Sequence, residues 1–327
     1  EINNKIVLTL NDASTVDIDT SAIGGGGGFT GTFTNGDGDT VTVSNGLITG
    51  IGVVFGLLLD GLTGSTGAFS LRKLKSSYTG SAIQVRRASD NATQDIGFVS
   101  NQLDTVSLNT FCSGTNGFVS IWYNQSDASN NAIQATSSNQ PKIYDSINGV
   151  ELENGQPCIL FNDSNNNFLE VVNTSFCNIA NSLSNFSVFK LNSTSTFFGT
   201  VFSKAYSENG AIGVGVENIT DNLNLNYDSA KMSTTQNVYN IHNLSTNFIK
   251  LGTNGVKAYT NSILRKEETT AEDLTGSNTY KFSIGRNDKD SDYYWSGSIQ
   301  EVLLFSSDQS SNKATIEDNI NTNYTIY

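Results

Sequence analysis

The chain has 327 residues with 31 Asp+Glu against 18 Lys+Arg, a formal net charge of −13 that excludes a phosphate backbone as the main partner. Charged residues make up only 15% and hydrophobic ones 37%, so solubility rests on Asn, Ser, Thr and Gly. That mixture suits strands and turns and excludes a bundle of long Glu/Lys/Ala/Leu helices.

The opening EINNKIVLTLNDAS has no basic stretch leading into an apolar core, so no secretory leader is expected. KIVLTL predicts a strand, and the Gly24–Gly28 run that follows cannot pack a core. FTGTFT, TVTVS and LITGI, split by Asn-Gly and Gly-Asp-Gly turns, predict a small meander over 29–51. Such a meander is too small to stand alone. Residues 1–62 are therefore expected to be an attachment or oligomerisation region, and 63–327 a separate domain. The most apolar segment, Ile51–Leu62, is shorter than the ~20 residues of a membrane span. Broken by Gly56 and Asp60, it reads as a buried strand and a turn, with Asp60–Ala68 as a linker.

The stretch from Ala68 to Phe98 gathers Arg72, Lys73, Lys75, Arg86 and Arg87. Two readings stand side by side. In one, Tyr78, Ile83 and Val85 face a core while Arg86 and Arg87 clamp Asp90 and Asp95 bidentately. In the other, the cluster is a surface for an anionic glycan. Asp104–Cys112 predicts a short helix capped by Asp104 or Thr105. Strand candidates then recur every ~10–20 residues, as in a large antiparallel sandwich. They run from GFVSIWY at Gly117 through PCILFN and AIGVGV to SIQEVLLF at Ser298. Ser310 and Ser311, ahead of Ala314, Ile316 and Ile320, predict a closing helix. No repeat of 20–50 residues is visible. The class is all-β.

Cys112, Cys158 and Cys177 lie far apart, without disulfide or zinc spacing, and are expected to be free thiols. The single His242 has no His or Cys neighbours and reads as a surface or hydrogen-bonded histidine. Trp122 and the Tyr293–Tyr294–Trp295 triplet are candidate platforms for a sugar face; the alternative is that they fill the core. NDKDSD sets Asp288, Asp290 and Asp292 at alternate positions, and Asn35–Thr40 does likewise, as a Ca2+ loop would. A solvated turn is the alternative, and no other cofactor is expected.

Four segments carry a resemblance: AFSLRKLKSSYTGSAIQVRRASDN, TFCSGTNGFVSIWYNQSDASNNAIQA, NGQPCILFN, and YKFSIGRN…YYWSGSIQEVLLF with the closing helix. In this order they resemble the catalytic domain of fungal-type α-L-arabinofuranosidases over about residues 66–327. That resemblance implies a concanavalin A-like (laminin-G-like) antiparallel β-sandwich, or jelly roll. It places Glu217 of VGVENITDN at the nucleophile, while the acid position in IGRNDKD falls on Asn287, with Asp288 one residue on. The family's adjacent pocket cysteines are absent, Asn124 replaces an Asp, and Gly117 stands where a partner for Cys112 is expected.

The module also resembles one carried by tail and virion proteins of bacteriophages, where it follows a Thr- and Gly-rich hairpin region. The leading expectation is therefore a bacteriophage virion component at the particle surface that contacts host surface glycan without hydrolysing it, and so no enzyme. It would attach to other virion proteins through the N-terminal region and form a homo-oligomer, with no nucleic-acid partner and no membrane insertion. The alternatives are an arabinofuranosidase-like glycoside hydrolase and a purely structural virion protein without a ligand.

Overall fold

The computed structural model describes residues 5–9, 15–19, 31–34, 40–44, 47–52, 57–126, 129–178, 182–192, 199–205, 211–216, 222–227, 230–250, 252–270, 279–288 and 293–327. The chain divides into two units, Glu1–Leu57 and Leu58–Tyr327. In the first, Lys5–Thr9 pairs antiparallel with Thr15–Asp19, and Gly31–Thr34, Thr40–Ser44 and Leu47–Gly52 form a three-stranded meander. The Gly24–Gly28 run and Asn35–Asp39 lie outside the described residues.

The second unit is built on a 19-stranded sheet whose pairings are antiparallel. Its hub is strand Gly297–Phe305. One edge pairs with Ser182–Leu191; the other pairs first with Ile159–Phe161 and then with Ser65–Ser70. The register skips Gln300, since Val188 faces Glu301 while Phe189 faces Ile299. Strict alternation would put Ile299 and Val302 on opposite faces. The bulge instead turns Ile299, Val302 and Leu304 toward one apolar cluster, and Leu303 and Phe305 toward another.

The larger cluster holds Phe69, Trp122, Phe161, Phe202, Phe282 and Trp295 among many others. The smaller one lies under the C-terminal helix Lys313–Tyr324, whose Ile316, Ile320 and Tyr324 pack with Phe186, Leu244 and Phe248. Spacing of four places all three on one stripe. Ser310 and Ser311, ahead of the helix as expected, form a single 3-10 turn with Asn312, and the helix starts after Asn312 without a side-chain cap. The shorter helix Thr105–Phe111 is capped as expected, with Asp104 accepting from Ser107 N at 2.9 Å.

In the Ile51–Leu62 segment, strand Leu47–Gly52 ends and a turn follows at Leu58–Asp60 with Leu58 and Leu59 buried, while 53–56 lie outside the described residues. One expectation is corrected here. Asp60–Ala68, read as a linker, enters the sheet at Ser65, and Gly64 O accepts from Ser306 N at 2.8 Å.

The basic cluster belongs to the fold. Arg72 makes a buried bidentate pair with Glu301, Nε to Oε2 at 2.8 Å and Nη2 to Oε1 at 3.0 Å. Ser70 Oγ and the Tyr324 hydroxyl also donate to Glu301 Oε2. Arg87 clamps Asp90 at 2.8 and 2.7 Å, as the first reading held. Arg86 does not take an aspartate: it donates to Gln140, Asn91 and the Ser137 carbonyl, over the Phe118 ring. Asp95 instead accepts from Gln84 and Tyr123.

Asparagine also has a structural use. Asn91, Asn101, Asn154, Asn166, Asn240, Asn254 and Asn261 all have positive φ, a left-handed conformation that asparagine tolerates better than other non-glycine residues. Cys112 and Cys158 are buried and Cys177 is half-buried, all as free thiols. His242 Nε2 lies 2.6 Å from Gln300 Oε1 on the bulge, and burial lowers its pKa.

Candidate active site

The strand Phe282–Ile284 ends in a turn that only glycine can make. Gly285 has φ +86°, and a Cβ there would meet Phe161 Cδ1 at 2.4 Å. The turn delivers Arg286, Asn287 and Asp288 beside the neighbouring strand Leu169–Val171, where Glu170 pairs with Ser283.

Two carboxylates and two cations meet there. Arg286 Nη2 donates to Glu170 Oε2 at 2.8 Å and to Asp288 Oδ1 at 3.0 Å. Lys281 Nζ reaches Glu170 Oε1 at 2.6 Å, and its backbone N–H reaches Asp288 Oδ2 at 2.7 Å. The guanidinium carbon sits 3.5 Å from the centre of the Phe168 ring. This stacking suits a planar cation and would not suit lysine. Phe168 in turn lies 6.4 Å from Tyr294. The cluster is internally neutral; the side chains of Arg286 at 16%, Glu170 at 19% and Asp288 at 13% are only slightly exposed, while Lys281 at 37% reaches solvent. It fixes the turn.

The predicted site residues are placed as follows. Asn287 is fully buried, and Asp288 has both oxygens engaged as acceptors. Glu217 lies outside the described residues, immediately after strand Ile212–Val216. The strand end before it is well placed: Val216 pairs with Gly199, and a Cβ on Gly199 would touch Val216 Cγ2 at 3.1 Å and Trp295 Cε3 at 3.3 Å. Trp295 N donates to Gly285 O at 2.9 Å, so Val216 and the Gly285 turn share one corner.

Trp122 and Trp295 are buried completely, the first edge-on to Phe69 and the second edge-on to Phe189. Neither presents a ring to a sugar in this structure, so the core alternative holds for both. Tyr293 and Tyr294 are half-buried. Asp290 and Asp292 lie outside the described residues. Among the described residues no three His, Cys, Asp or Glu side chains gather as metal ligands.

Glu170, Lys281, Arg286 and Phe168 were missed as a group. The signal available was the alternation in FLEVV, which turns Glu170 away from the face buried by Leu169 and Val171. Its partners are more than 100 residues distant in sequence.

Residues 58–154 match the family model for the catalytic domain of α-L-arabinofuranosidase B. No curated protein matches the chain. Among solved structures, an α-L-arabinofuranosidase of glycoside hydrolase family 54 soaked with a cyclic sulfate inhibitor has a TM-score of 0.58 at 15% identity. An arabinofuranosidase complexed with arabinofuranosyl-α-1,2-xylobiose has a TM-score of 0.54 at 16% identity. Each match covers 78% of this chain, which spans 62% of the length of either structure. At this identity the likeness is one of fold. The family match overturns the leading expectation of a non-hydrolysing virion protein and favours the alternative weighed from the sequence, an arabinofuranosidase-like catalytic domain, on a fold that the solved structures share.

Proposed function

We propose that this chain is a glycoside hydrolase of the α-L-arabinofuranosidase type, acting through a concanavalin A-like sandwich. The observation that carries the reading is the match of residues 58–154 to that catalytic family. It is supported by the arrangement of Val216, Trp295 and the Gly285–Asp288 turn at one corner.

Glu217 is assigned as the nucleophile and Asp288 as the acid and base of a retaining double displacement, which needs the two carboxyls ~5–5.5 Å apart. The Glu217 carboxylate bonds to the anomeric carbon as the glycosidic C–O bond breaks, and Asp288 gives its proton to the departing oxygen. Water then attacks the glycosyl-enzyme, loses a proton to Asp288 and releases Glu217. Arg286 and Glu170 position the turn. Because Arg286 Nη2 holds Asp288 Oδ1, proton donation requires that contact to loosen. Substrates whose leaving groups need little protonation are therefore favoured.

The test is hydrolysis of aryl α-L-arabinofuranosides graded in leaving-group basicity. Glu217→Gln should abolish release on all of them. Asp288→Asn should slow the most basic leaving groups by about 10²–10⁴-fold and leave nitrophenol release far less affected. Absence of release by the unmodified chain from any of these substrates would refute the assignment.

A further inference from the structure

Strand Gly199–Lys204 has Val216 opposite its first residue and Ile212 opposite its last. At the far end from Val216, Lys204 is fully buried. Its Nζ donates to the carbonyls of Thr174 at 2.6 Å and Phe176 at 2.7 Å, and to Asn178 Oδ1. Burial lowers its pKa to about 8. The ammonium thus organises the turn 173–178 from beneath. Within that turn Cys177 has φ +59°, an uncommon conformation for a non-glycine residue. With Asn178 Oδ1 taken by Lys204, the carboxamide NH2 is the group it has left to donate.

This turn walls a cavity of about 330 Å3. Opposite it stand Thr66, Leu183 and Ser306, from three different parts of the sheet and its edge. No lining side chain is charged, and most are hydroxyls or carboxamides. Phe176 and Leu183 are buried and add apolar surface. In a chain of net charge −13, a wholly uncharged cavity does not select an ion. Groups that both donate and accept match the vicinal hydroxyls of a sugar, and the apolar surface matches its C–H edges. The volume sits near the lower end of the ~300–1,000 Å3 of small-ligand pockets, so it suits one ring rather than a polymer segment.

We infer that this cavity is a second saccharide site, taking a single neutral sugar ring, separate from the corner reached by Val216. It does not depend on the hydrolytic reading. The test presents methyl α-L-arabinofuranoside, methyl β-D-xylopyranoside and methyl α-D-galactopyranoside at millimolar concentration to the full chain, read by saturation-transfer NMR. At least one glycoside should bind, and bind equally to Glu217→Gln. Ser306→Trp, at an exposed position on the cavity wall, should weaken that binding by at least about tenfold. Ser175→Trp on the opposite wall should do the same, and thermal unfolding of each variant identifies one that has not folded. Binding of none of the three glycosides overturns the inference. So does binding that survives both tryptophans in folded protein, or binding lost in Glu217→Gln alone.

Discussion

Arg72 and Glu301 show how a single residue's role is set by what surrounds it. A guanidinium and a carboxylate are removed from water together and hold each other through two hydrogen bonds, with Ser70 and Tyr324 filling the remaining acceptor capacity. Removing one member leaves an uncompensated buried charge. Arg72→Met should cost about 3–5 kcal/mol in urea denaturation, and Arg72→Met with Glu301→Leu should cost less than that single change. A double variant less stable than Arg72→Met would contradict this account. On the surface the scale differs. The Arg87 guanidinium, helped by the Ala92 N–H, draws the Asp90 carboxyl down to about 2 from its ordinary 3.8. Folded Asp90 therefore stays ionised to lower pH than unfolded Asp90. Its contribution is full above about pH 4 and fades as pH falls through 2. NMR titration of Arg87→Ala should return the Asp90 pKa toward 3.8.

Among elements, the bulge at Gln300 and the turn at Gly285 matter most, because each redirects the residues after it. The bulge splits the hub strand between two apolar clusters, and its Gln300 side chain reaches His242 and the carbonyls of Glu153, Gln156 and Pro157. The strand starting at Gly117 yields a sharper prediction. A Cβ on Gly117 would lie 2.6 Å from Cys112 Sγ, close enough that a second sulfur could bond to it. Gly117→Cys should form a disulfide with Cys112 on oxidation. Closing so short a loop should stabilise the fold by about 2 kcal/mol, less the cost of crowding Tyr144 and Val85. Two free thiols fewer than in the reduced variant by mass spectrometry, with a Tm gain that vanishes under reductant, is the expected result; four alkylated cysteines after oxidation would contradict it.

For the whole molecule, both apolar clusters draw their described members from Leu58 onward. A chain of residues 58–327 should therefore fold by itself and unfold in one cooperative transition by circular dichroism. A broad, non-cooperative melt would show that the first unit completes the core. The aryl-arabinofuranoside series belongs to this scale too, because Val216 and the Gly285 turn reach one corner only through the assembled sheet.

The all-β class, the helix capped by Asp104 and the amphipathic closing helix were legible in the sequence, since each rests on local preference or periodicity acting over a few residues. The Arg87–Asp90 clamp was legible for the same reason, its members being three residues apart. Which partner Arg72 or Arg86 would take was not, nor that Glu170, Lys281, Arg286 and Asp288 would form one cluster. Those contacts join strands far apart in the chain, and no local signal encodes long-range register. The burial of Trp122 and Trp295 was likewise decided by tertiary structure. Alternation along a strand separates its two faces, but only packing determines whether a given face meets solvent or another layer of the fold.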